Sequence, residues 1–266
     1  MLKKRVIFTL LYNAGDFVLS RNFRLQKVGD LHWLQKNYDF SKIAFSIDEL
    51  VILDISRGER DEDKFRQHVQ SLTEECFVPI SAGGGIKKLE QASQLLFSGA
   101  DKVVLNSLVA SDPNVISEIA CQFGSQCVVI SVDVKLVEGR YTVWTENGSK
   151  MEEEPLSEWL SRIIELPVGE VYINSIDRDG TGQGYDFEML KEIPDHIPIP
   201  LILAGGAGKY PHLAEGLTDK RVDAVATAHL FNFVGSGLAD AREKLLQNGY
   251  ELASWDIERA RSLRAT

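Results

Sequence analysis

The chain has 266 residues, 44% of them hydrophobic, and 39 acidic against 29 basic side chains give a net charge of −10 at neutral pH. That length supports one sizeable core, and an acidic balance without a basic cluster argues against nucleic acid as a partner. With no run of 18 apolar residues and no signal-like leader ahead of the first strand, the expectation is a cytoplasmic chain without a membrane partner. Cys76, Cys121 and Cys127 show no metal-ligand spacing and read as buried free thiols, so no disulfide framework, metal or cofactor is expected.

Arg5 to Leu11 is an apolar strand, and the stretch from Tyr12 to Asp30 is long for a βα connection, which usually runs about 2 to 6 residues. Its excess length suggests a mobile lid. Asp30 reads as the N-cap of a helix through Leu31, Leu34 and Tyr38. A second strand, Glu49 to Ile55, repeats the apolar run and carries an acid, Asp54; Phe65, Val69 and Leu72 then give a helix its buried stripe. The third strand, Val78 to Ala82, closes on Gly83-Gly84-Gly85, the fourth is Lys102 to Asn106, and Asp112-Pro113 opens the next helix as cap and first-turn proline. Cys127 to Lys135 has the Val/Ile character of a parallel strand covered on both faces. Its Asp133 stands at the C-terminal end, where βα proteins keep their chemistry. A hairpin insertion follows, with Tyr141 to Trp144 as one arm and Glu146-Asn147-Gly148 as the turn. Glu170 to Ser175 runs into Asp177-Arg178-Asp179-Gly180-Thr181, Pro200 to Ala204 into Gly205-Gly206-Ala207-Gly208, and Asp223 to Thr227 is the eighth strand.

An internal repeat organises these elements. A step of 122 residues (133 minus 11) carries Leu11 onto Asp133, SAGGG at Ser81–Gly85 onto LAGGA at Leu203–Ala207, and Ala100-Asp101 onto Val222-Asp223. Two halves of roughly four strand–helix units, at about 30 residues per unit, make the length of an α/β fold of one kind, a single (β/α)8 TIM barrel with two-fold half-barrel symmetry. Residues 1–250 form the barrel domain, and the charged tail 251–266 is given no role.

Glycines after strands three and seven let backbone N–H groups approach an anion closely, and the repeat sets two such loops on opposite sides of the mouth. The same glycines could serve only to make tight turns; the pairing and the nearby DGTGQG favour binding of a phosphorylated small molecule. Asp133, Asp54, Asp177 and Asp179 stand at strand ends, where a carboxylate can act as acid or base or accept from loop amides. Among the histidines only His229 follows a strand at the catalytic face, where an anion contact is as good a reading as catalysis. At the opposite end Arg5, Glu49, Lys102 and Glu170 each begin a strand. They read either as solvated rim charges or as a closed polar plug of alternating sign.

ADKVVLNS, FGSQCVV, NSIDRDGTGQGYD and GGAGK, within a match that runs to about residue 250, resemble the cyclase subunit (HisF) family of imidazole glycerol phosphate synthase. The resemblance implies a (β/α)8 barrel that takes ammonia from a HisH-like glutaminase subunit at the N-terminal barrel face and passes it to a bisphosphorylated substrate at the other end. It places an ammonia gate at Arg5, Glu49, Lys102 and Glu170, and phosphate contacts near Gly85, Asn106, Ser107, Asp179, Gly180, Gly206 and Ala228; the glycine loops add Gly84, Thr181 and Gly205 as candidates, and His229, the next neighbour, departs from the small hydroxyl residue usual there. It also gives the strand-five acid, Asp133, an acidic partner at the end of strand one. Here that strand reads Thr9-Leu10-Leu11, and the family's lid lysine falls on Leu19. Leucine moves no proton.

This departure looks like a paralogous branch in which barrel and glutaminase supply ammonia to an asparagine-synthetase-like amidotransferase that amidates a surface-polysaccharide (O-antigen) sugar. Two other readings stay open: a histidine-pathway cyclase using Asp16 or Asp54 as a rearranged acid, and a noncatalytic phosphate-binding scaffold barrel. The gate charges speak against the scaffold and the missing acid against the cyclase.

Overall fold

A computed structural model describes residues 3–38, 40–195, 197–228 and 237–254. Eight parallel strands close into a barrel: β1 (Arg5–Asn13), β4 (Glu49–Asp54), β5 (Ile80–Gly83), β6 (Lys102–Leu105), β7 (Val128–Val137), β10 (Glu170–Ser175), β11 (Leu201–Ala204) and β12 (Val222–Thr227). Each pairs with the next, β1 pairs with β12, and the eight-membered ring has β1 and β7 on opposite sides. This is the (β/α)8 architecture expected from the repeat.

Alternation along each strand sorts the side chains into two cores. Even-numbered residues of β1, such as Val6, Phe8 and Leu10, pack outward under the helices, while Ile7 joins Val51, Val104, Val129, Tyr172, Ile202, Ala224 and Ala226 in a separate apolar cluster inside the barrel. Helix starts follow the local signals. Asp30 accepts from Trp33 N ahead of the helix Leu31–Asn37, and Asp112 accepts from Asn114 N ahead of the helix Pro113–Phe123.

The connection expected to be a loop-like lid is a β-hairpin, β2 (Asp16–Arg21) and β3 (Arg24–Gly29), extending β1 antiparallel. Composition hid it, because its turn is Asn22-Phe23, without the glycine that normally marks such turns. Both residues have left-handed φ values, 49° and 62°, as a two-residue hairpin turn demands. The second hairpin, β8 (Arg140–Thr145) and β9 (Lys150–Pro155), extends β7 in the same manner. Residues 251–254, assigned on sequence to the tail, still pack on the barrel: Leu252 is buried and Glu251 O accepts from Lys4 N. The tail from Trp255 onward lies outside the described residues.

Candidate functional site

At the N-terminal end of the barrel the four strand-opening charges are not scattered on the rim. Arg5 Nη1 lies 3.0 Å from Glu49 and 2.8 Å from Glu170, and Lys102 Nζ lies 2.8 and 2.9 Å from the same two carboxylates, which closes a ring. Ser81 Oγ adds a donor to Glu49 at 2.5 Å. Glu49 is 1% exposed and Glu170 9%. Burial at that depth is tolerated because each carboxylate meets two cations. The solvated-rim reading therefore gives way to the polar plug.

Above the ring the barrel axis is apolar for one layer and then turns polar. Thr9 Oγ1 and Tyr172 Oη share a hydrogen bond at 3.0 Å, and burial pushes the Tyr172 phenol well above its ordinary pKa. Beyond them opens a cavity of about 1070 Å³, whose walls include Leu11, Leu19, Leu53, Ile55, Ser131, Asp133, Asn174, Asp177 and Asp179. It lies at the C-terminal ends of the strands, the face where barrels of this architecture keep their sites.

Asp133 is the acid of the cavity floor. Asn174 Nδ2 donates to its Oδ1 at 2.9 Å and Asn106 Nδ2 to its Oδ2 at 3.1 Å. Its carboxyl keeps some surface toward the cavity, yet loss of hydration raises its pKa to about 7; the charge of Asp179 adds to the rise, and the two asparagine donors oppose it. A carboxyl poised there can both hold and release a proton near neutral pH. Across the mouth the equivalent position of β1 is Leu11, flanked by Leu53 and Ile55 in the same wall. The strand ends thus offer a titratable acid at one position and an apolar side chain at its equivalent, with Arg57 and Lys135 also in the cavity wall.

Two hairpins roof this space, and each reaches across to the other half of the barrel. The β2–β3 turn sits on the segment after β10: Asn22 N donates to Asp179 O at 2.9 Å, Asn22 Nδ2 to Asp177 O at 2.8 Å, and Phe23 N to Asp179 Oδ2 at 3.1 Å. Ser20 Oγ also donates to the Asp179 carboxylate, at 2.5 Å. Burial raises the Asp179 pKa against these two donors to its carboxylate. In the opposite direction, the β8–β9 turn rests on the loops after β4 and β6, with Asn147 Nδ2 donating to Ser56 O and Glu146 N to Ser107 Oγ, both at 3.2 Å. The two tips touch. A Cβ on Gly148 would fall 2.5 Å from the Phe23 ring.

The two glycine loops keep their repeat-related backbone. Gly84 and Gly206 have φ of 121° and 105°, and a Cβ on either would fall 2.0 Å from Asp54 O or 2.1 Å from Gly184 O. Close backbone packing alone already requires glycine at both. The loops differ in what they face. Gly180, Thr181, Gly205, Gly206 and Ala228 line the cavity; Gly84 and Gly85 instead border a crevice of about 20 Å³ beside Arg66 and Gln91, and Asn106 and Ser107 are outside the cavity wall.

A family model described as histidine biosynthesis protein matches residues 22–235. The chain belongs to the HisF family of imidazole glycerol phosphate synthase subunits. It is 46% identical, over all of this chain and 99% of the relative, to a protein of Parasynechococcus marenigrum (strain WH8102) with the provisional name imidazole glycerol phosphate synthase subunit hisF2. It is 41% identical to the imidazole glycerol phosphate synthase subunit HisF of Chlorobaculum tepidum and 40% to that of Chlorobaculum parvum, each over 94% of this chain and 98% of the relative.

In this HisF-family barrel the remaining sequence candidates divide. Asp177 lines the cavity, and its Oδ2 accepts from Leu136 N at 2.8 Å. Asp54 does not reach the cavity: Oδ1 accepts from Ser56 N and Oγ, and Oδ2 lies 3.5 Å from Arg60 Nε. That placement leaves it a structural acceptor. Asp16, the other candidate for a rearranged acid, pairs with Lys27 at 2.7 Å on the hairpin and is not among the cavity-lining residues. His229 lies outside the described residues. Sequence reasoning missed Asn174 and Tyr172. Both were readable by period, since Glu170, Tyr172 and Asn174 alternate on one face of a strand. No members of a metal-holding cluster occur among the described residues, and none of the described helices is long and apolar enough to cross a membrane.

Proposed function

We propose that this HisF-family barrel receives ammonia from a HisH-like glutaminase docked at the charged ring and conducts it along the axis to the mouth. There the ammonia serves an asparagine-synthetase-like amidotransferase in amidation of a surface-polysaccharide sugar, and ring closure on the histidine-pathway bisphosphate is lost. The observation that carries this reading is Leu11 opposite Asp133. Imidazole formation and cleavage add and remove protons on different faces of one substrate, so two positioned groups divide the work. One of those positions is leucine.

The route itself has a physical rationale. A plug of paired charges blocks free passage of water and ions but can part when a partner reorganises it, and the apolar layer above admits neutral ammonia more readily than ammonium. Coexpression with neighbouring glutaminases tests the docking. A stable complex with glutamine-dependent ammonia transfer is the expected result, and failure to copurify any glutaminase removes the main support. The competing reading, a histidine-pathway cyclase, draws on Asp133 with its pKa raised to about 7. Steady-state turnover of the bisphosphate with saturating ammonium separates the two: a rate on the order of 1 s⁻¹ or faster restores the cyclase.

A further inference from the structure

We propose that Tyr172, hydrogen-bonded to Thr9, is a second closure of the barrel axis above the charged ring, and that ammonia reaches the mouth by taking the place of the Thr9–Tyr172 bond. The step favours neutral ammonia over ammonium. Ammonia passage rests on the axial route proposed above, whereas the closure stands on the geometry alone.

Ile7, Val51 and Val104, each two positions beyond a charge of the ring, belong to the apolar cluster inside the barrel and do not border the cavity. Tyr172 stands at the same step on β10, two beyond Glu170, and belongs to the same cluster, yet its longer side chain lines the cavity. It therefore spans from the apolar layer to the floor of the mouth. Two strands, β11 and β12, separate β10 from β1, so the phenol crosses the interior to reach Thr9. Those two strands contribute Ala204, Ala224 and Ala226 to the cluster, small side chains that leave room for the phenol in a close-packed interior. Thr9 and Tyr172 are both buried, and their hydroxyl oxygens lie 3.0 Å apart.

A buried hydroxyl pair of this kind discriminates between the two forms of ammonia. While the bond is made, each group satisfies the other. When the phenol turns aside, two buried hydroxyls lose their partner, which costs free energy. Ammonia repairs both ends at once, because its lone pair accepts from one O–H while an N–H donates to the other oxygen. Ammonium has no lone pair and brings a charge into an apolar layer. Burial holds the phenol well above its ordinary pKa, with the charges of Asp133 and Asp179 adding and the Thr9 bond opposing, so Tyr172 stays protonated and offers ammonium no phenolate.

Thiol labelling of the full chain tests the closure without any partner. In a background of Cys76→Ala, Cys121→Ser and Cys127→Ala, single reporters are Val104→Cys in the apolar layer, Leu53→Cys in the cavity wall and Val103→Cys in the outer core, labelled with methyl methanethiosulfonate, a small neutral reagent. Fast labelling is expected at Leu53→Cys and slow labelling at the other two. Tyr172→Phe and Thr9→Val, which break the bond and keep the shape, should each speed Val104→Cys by about 3- to 10-fold. Together they should do no more than either alone, since both remove one bond. Tyr172→Ala should speed it further, and Val103→Cys should not respond to Tyr172→Phe or Thr9→Val. Val104→Cys already as fast as Leu53→Cys, no response to any Tyr172 replacement, additive effects of the two bond-breaking variants, or an equal rise at Val103→Cys in Tyr172→Phe overturns the closure. Passage is read by NMR of isotope-labelled tyrosine. The ring signals of Tyr172 should move with ammonium chloride above the ammonium pKa, and neither below it nor with potassium chloride. Unmoved signals overturn the passage step and leave the closure. Failure of the axial route shows separately, as a coexpressed glutaminase complex that delivers no ammonia with either the natural Tyr172 or Tyr172→Phe.

Discussion

The two halves of the barrel share a construction and differ in their chemistry. β1 and β7 face each other, each continues past the barrel into an antiparallel hairpin, and each hairpin tip rests on the other half. Repeat-equivalent positions run Ile7 with Val129, Thr9 with Ser131, then Leu11 with Asp133. The first two pairs conserve character and the third does not. Backbone symmetry is thus kept by packing, which any side chain of suitable size satisfies, while a pair of titratable groups needs a carboxyl at both positions, and here only one of the two has it.

Restoring the missing acid is the strongest way to break this contrast. Leu11→Asp should raise any residual cyclase turnover by up to about 10² to 10⁴-fold, the usual worth of a positioned acid or base, measured with saturating ammonium. No gain would mean that more than this position separates the halves. Next in size is the ring, where the first half supplies Arg5, Glu49 and Lys102 and the second only Glu170. Glu49→Ala leaves two cations sharing one carboxylate and should cost about 3 to 5 kcal/mol in urea unfolding. Glu170→Ala should cost less, because Glu170 is more exposed and lacks the serine donor.

Asp133→Asn sharpens the comparison by making both positions untitratable. Because folding raises the Asp133 pKa from 3.8 to about 7, the native state holds the extra proton between those values, so this group's contribution to stability falls as pH rises through that window. The variant should therefore gain on the natural chain from pH 4 to pH 8, by at most on the order of 2 to 4 kcal/mol, in parallel denaturation series. A pH-independent difference would show that the environment of Asp133 is well hydrated. The smallest effects belong to the tips. Asp179→Asn should loosen the β2–β3 turn by about 1 to 2 kcal/mol, and Asn147→Ala the β8–β9 turn by about 0.5 to 1 kcal/mol, both read as faster hydrogen exchange confined to the affected hairpin.

Much of the molecule is decided locally and is therefore legible in the order of residues. Apolar runs of β-branched residues at a repeating spacing specify eight strands, and Asp30 and Asp112 cap helices through contacts two or three residues away. Periodicity also puts Asp133 and Leu11 at equivalent strand ends, so the missing acid needs no structure to be seen. What local order leaves open is whatever depends on groups brought together from distant segments. Whether Arg5, Glu49, Lys102 and Glu170 point inward is settled only when barrel closure brings each cationic end within about 3 Å of both carboxylates. The inequality of the two glycine loops is likewise tertiary. Gly84 and Gly206 read alike in sequence, and their loops differ because the hairpin tip from the opposite half bonds to Ser107 on one side while the other packs its Ser20–Arg21 backbone on Gly180. Side-chain periodicity repeats along a strand, but the occupancy of a cavity is a property of every segment that borders it.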